Sequence, residues 1–154
     1  MILGSDPGSP PFVYHAARKL SLKAAERFIA EAAEESRKKA LATLKSTIAD
    51  LESREYEVAC AGIIIANRPL DAALDKILAN HTLIHTAEGE LYRGAIKRAC
   101  ESLKIPVVEI RSAELQARAP LTVEKLSRIG KTAGPPWSRD QKDSLLAALL
   151  ALVE

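Results

Sequence analysis

The stretch Tyr56-Glu57-Val58-Ala59-Cys60-Ala61-Gly62-Ile63-Ile64-Ile65-Ala66 decides the fold. Val58, Cys60 and Gly62 alternate with small residues, and three consecutive isoleucines follow. An unbroken β-branched run suits a strand shielded on both faces, where every side chain must be apolar. Asn67-Arg68-Pro69 then turns the chain. A buried strand of this kind predicts a layered core with helices on either side of it.

On the N-terminal side, Leu22 to about Arg54 contains no Gly or Pro and is dominated by Ala, Leu, Glu, Lys and Arg, all strong helix formers. Ala25, Ile29, Ala33, Ala40, Leu44, Ile48 and Leu51 hold helical phase, with a gap near Ser36. At 1.5 Å per residue such a helix is about 50 Å long. A compact domain of this chain length has a diameter of roughly 40 Å. The helix therefore either breaks near Ser36 or projects towards a partner, and the second option predicts a homodimer. Ahead of it, Phe12 to Ala16 reads as a short strand. Residues 1–11, rich in Gly, Ser and Pro, read as a flexible lead-in.

On the C-terminal side, Leu70, Ala73, Leu74, Ile77 and Leu78 form one helical stripe, with Asn80 as its C-terminal cap. His81 to His85 reads as a break. A helix follows from Ala87 to about Leu103. Ile105 to Arg111 is a second strand, and Ser112 to Ala119 one or two helical turns. Thr122 caps a short helix to about Gly130, and Thr132 to Trp137 is a rigid loop. Ser138 and Gln141 form a capping box opening the last helix, whose buried side is Leu145, Leu146, Leu149, Leu150 and Val153. Helical segments between strands favour right-handed crossovers. The expected fold is a helix-rich α/β domain over residues 12–154. Its sheet is small, mainly parallel, of about three strands, and flanked by helices.

With 22 basic and 20 acidic residues the net charge is +2. That balance neither demands nor excludes nucleic acid. No apolar run approaches the ~18 residues of a membrane span. Cys60 and Cys100 sit inside apolar segments and read as reduced, buried thiols. These features predict a cytoplasmic protein without a membrane partner.

Two look-alike motifs fail on context. Gly130-Lys131-Thr132 resembles the end of a phosphate-binding loop, but Lys125 stands where the first Gly belongs and a helix precedes it instead of a strand. Asn80-His81-Thr82 matches a glycosylation acceptor, which a cytoplasmic chain does not use. Two polar clusters remain. His81-x3-His85-x2-Glu88 has the spacing of three divalent-metal ligands on one helical face, provided those residues are helical. Apart from any metal, His85, Glu88 and Glu90 cluster at a helix start, where a His beside a carboxylate suits a general base, and Gly89 admits close approach. The second cluster follows Pro135-Pro136-Trp137 and includes Asp140 and Lys142. The joined site brings His85 and Glu88 together with Asp140 and Lys142: His85 acts as base or ligand, Glu88 orients or binds it, and Lys142 holds an anionic group.

The opening Ile2-Leu3-Gly4-Ser5-Asp6-Pro7-Gly8-Ser9 resembles the first strand of RuvC-type Holliday-junction resolvases, and the later element order resembles the second half of an RNase H-like domain. The resemblance implies Asp6, Asp140 and Asp143 as ligands to two magnesium ions for phosphodiester hydrolysis. Ser5 departs from the family's apolar residue, and no carboxylate stands between Cys60 and Ala66. Two functional classes compete: a non-catalytic binding or self-association module with a polar pocket, and a metal-assisted hydrolase, including a nuclease of the RNase H-like kind.

Overall fold

A computed structural model describes residues 12–118 and 121–154; the proposed lead-in and Asp6 lie outside them. The chain forms two compact units. The first comprises the residues up to Glu57 together with Arg68–Lys104; the second comprises Val58–Asn67 and Ile105–Glu154.

The first unit is helical: α1 (Val13–Ala17), α2 (Leu22–Ser53), α3 (Leu74–Ala79) and α4 (His81–Ser102). Helix α2 runs its 32 residues without a break at Ser36. Ala25 packs with Ala17 and Leu78, joined by Tyr14, Phe28, Ile29 and Leu74. Further along, Ala40 meets Ala95 and Ala99 of α4. Three alanines at one contact let two helix backbones approach closely, and Leu41, Leu44 and Ile96 pack around them.

Two expectations fail here. Phe12 to Ala16 is not a strand. Val13 and Ala17, four residues apart and buried, give α1 one helical stripe. The amide of Ala16 donates to the Phe12 carbonyl at 3.1 Å, closing the turn. Nor is His81 to His85 a break. Asn80 is extended, ends α3 and begins α4 at once, its Oδ1 accepting the Leu83 amide at 3.1 Å. Burial of Ile84 overrides the weak helical preference of the β-branched residues around it.

The second unit holds β1 (Ala61–Ile65), β2 (Val107–Arg111), α5 (Ser112–Ala117), α6 (Val123–Ala133) and α7 (Arg139–Ala151). The strands pair in parallel, with Ala61 opposite Val107 and Ile65 opposite Arg111. The fold is α/β and helix-rich, with two strands among the described residues instead of about three, because the expected first strand is α1. Ile64, Val108 and Ile110 face a core built from Leu115, Leu126, Leu146, Ala147 and Leu150. Ile63, on the opposite face, keeps 8% of its surface exposed.

Ser138 and Gln141 form the expected capping box. Helix α7 ends at Ala151, which leaves Val153 outside it and exposed. Cys60 and Cys100 are free thiols; Cys100 is buried, and half-buried Cys60 donates to the Ala151 carbonyl at 3.4 Å. No described helix is long and apolar enough to cross a membrane.

Gly62 is where β1 meets α7. A Cβ there would lie 2.4 Å from the Ala147 carbonyl oxygen, a backbone atom that cannot swing away. Gly62→Ala should therefore cost about 1–3 kcal/mol by overpacking. Urea denaturation measures this, and an unchanged midpoint would mean that α7 does not seat on β1.

Candidate metal centre

The chain has three histidines, and all of them converge. His15 comes from α1, and His81 and His85 lie one turn apart on α4. One ring nitrogen from each lies within 4.8 Å of the others. Ring centroids are 5.3 Å apart for His15 and His81, 5.1 Å for His15 and His85, and 4.5 Å for His81 and His85. Phe12 adds an exposed aromatic edge 5.6 Å from His15.

Glu88 stands behind this cluster. At 6% exposure it is the buried charged residue among those described. Its Oε1 accepts the backbone amides of Tyr14 at 2.7 Å and His15 at 3.3 Å. Those amides open α1, so the carboxylate also meets the positive end of the local peptide dipoles. Oε1 lies 3.8 Å from His15 Nδ1. Oε2 of Glu88 and Nδ1 of His15 are both buried without a hydrogen-bond partner among the described residues. Burial, and then the Glu88 carboxylate, push the Tyr14 and Tyr92 phenols above the usual tyrosine range, so both stay neutral beside it.

The donor set fits a transition metal. Zinc-to-imidazole bonds of about 2.0–2.1 Å hold tetrahedral nitrogens roughly 3.4 Å apart. His81 and His85 are exposed, which leaves their side chains room to close that gap. Closing the 3.8 Å contact would let Nδ1–H of His15 donate to Glu88, fix the tautomer, and leave Nε2 as the metal-facing nitrogen. Ligating histidines are commonly oriented by such a carboxylate. Imidazoles select zinc, cobalt, nickel or copper over magnesium or calcium, which prefer oxygen.

The structure thus brings His81 and His85 together as their spacing predicts, and places Glu88 behind a third histidine, His15. Read as part of a strand, His15 carried no visible relation to α4; the one signal was that the chain has no other histidine to offer. Glu90 pairs with Arg93 at 2.9 Å, and the Arg93 guanidinium occupies the space over Gly89 where a ligand was expected. Asp140 and Lys142 belong to the second unit, in the first turns of α7. Asp140 is exposed, and Asp143 accepts from Arg139 at 3.3 Å. Trp137 packs on Gly130, where a Cβ would fall 2.2 Å from the indole ring.

Comparison with known proteins returns no match: no family model fits the chain, and no characterised sequence or solved structure is similar to it.

Proposed function

We propose that the chain is a non-catalytic metal-binding module in which His15, His81 and His85 hold a zinc-class ion that fastens α1 to α4. The observation that carries this reading is the convergence of every histidine in the chain beside a buried, half-satisfied carboxylate. A helix of five residues has almost no stability of its own. A cation ligated from both helices would hold α1 down and offset the buried charge of Glu88.

Metal-assisted hydrolysis is the second reading. Three nitrogen ligands leave one tetrahedral position for water, and the exposed histidines leave it accessible. The obstacle is the base. Glu88 is buried, and its Oε1 is already held by two backbone amides. The resolvase-like reading rests on another ion and other residues: Asp6, which lies outside the described residues, with Asp140 and Asp143, an oxygen set that suits magnesium. Cleavage of branched DNA with magnesium, lost in Asp143→Asn and retained in His81→Ala, would support it.

Calorimetric titration of zinc into the full chain should show one saturable site. His81→Ala should abolish it, and Asp140→Asn should leave it intact. No saturable binding, or binding that survives His81→Ala, would remove the proposal.

A further inference from the structure

Beside α6, in the second unit, lies a hollow of about 720 Å³ lined by Leu121, Lys125, Arg128, Ile129, Lys131 and Thr132. Three of these six residues are cations. None has an acidic partner among the described residues, although Glu124 lies on the same helix. Several arginines on other helices are neutralised locally. Arg27, Arg37, Arg54, Arg93 and Arg139 each pair with an acid three or four positions away. Unpaired positive charge around one hollow attracts an anion, with no competing internal carboxylate to displace.

The other linings specify what the anion carries. Leu121 is half-buried and Ile129 remains 37% exposed, so apolar surface lies among the cations. Leu126, on the inner side of the same helix, is committed to the core. A volume of this order suits a small molecule. Among the described residues no aromatic ring lines the hollow, so these supply no stacking platform for a nucleobase. We infer that this hollow binds a free single-chain anionic amphiphile, its carboxylate or phosphate head meeting Lys125, Arg128 and Lys131, and its acyl body lying on Leu121 and Ile129.

This site shares no residue with the histidine cluster, so it stands or falls independently. The test is calorimetric titration of octanoate, decanoate and dodecanoate, each below its micellar concentration, into the full chain. The expected result is one saturable site whose affinity rises by about threefold to fourfold per added methylene. Arg128→Glu should weaken binding at least tenfold, with an unchanged circular dichroism spectrum. His81→Ala should bind normally. Four outcomes would overturn the inference. They are no saturation with any of the three acids, an affinity indifferent to chain length, full binding by a folded Arg128→Glu chain, and binding only to phosphatidylglycerol vesicles or to an oligonucleotide.

Discussion

His15→Ala should weaken zinc binding by about 100-fold or more and uncouple α1 from the metal. Structural zinc sites with four ligands bind with roughly 10–16 kcal/mol, or about 3 kcal/mol per ligand. His15 is the one histidine that α1 contributes to the cluster, so its loss would remove the link between the helices as well as one bond. The second consequence is the more diagnostic. In the parent chain, zinc at a hundred times its Kd should lower the open population of α1 by roughly 50-fold, because opening leaves only the weaker two-histidine site. Hydrogen exchange of the α1 amides reads this directly. In His15→Ala, zinc should leave their exchange unchanged. Equal zinc protection in both chains would show that the ion does not bridge α1 and α4.

Substitutions of Glu88 should separate its two roles. Glu88→Ala leaves the amides of Tyr14 and His15 without their acceptor and should cost about 1–3 kcal/mol of stability. Glu88→Gln keeps an acceptor oxygen for those amides and largely preserves the fold. It removes the charge beside His15 Nδ1, and zinc affinity should fall by about 10- to 100-fold, as when outer partners of metal-bound histidines are replaced. Denaturation and zinc titration on the same two variants check both effects. If Glu88→Gln binds zinc like the parent, the carboxylate serves only to seat α1.

Helix α2 was legible because its signal is local: more than thirty positions without a breaker, with apolar residues in phase. The capping box at Ser138 was legible for the same reason, since Ser138 and Gln141 satisfy each other three residues apart. The isoleucine run announced a strand, and a strand forms there; Ile63 is buried, while Ile64 is partly buried against the second unit's core and Ile65 is half-buried. Helix α1 was illegible because its first amides are satisfied by Glu88, some seventy positions later in the chain. Only a folded chain brings that acceptor to the place where it turns Val13–Ala17 into a helix. The start of α4 was hidden by the double duty of Asn80, which ends one helix and caps the next with no loop between them.

The candidate site inherited both difficulties. His81 and His85 could be paired by their spacing once helical geometry was granted, and the local sequence argued against that geometry. Glu88 lay on the right helix, but its burial beside His15 was out of view. It stands 3.8 Å from His15 Nδ1 and is buried, and periodicity does not report which acid on a helix will be buried. His15 required both the helix and its docking. The polar cluster around Asp140 and Lys142 was legible as a helix start, where Ser138 Oγ accepts from the Asp140 amide at 3.2 Å.

X-ray absorption at the zinc edge of the metal-loaded full chain reads the ligands of the ion themselves. The first shell should consist of light atoms at about 2.0–2.1 Å, with outer-shell scattering from three imidazole rings that falls to two in His15→Ala. A shell of oxygens with fewer than two imidazoles, or a spectrum unchanged in His15→Ala, would contradict three-histidine ligation.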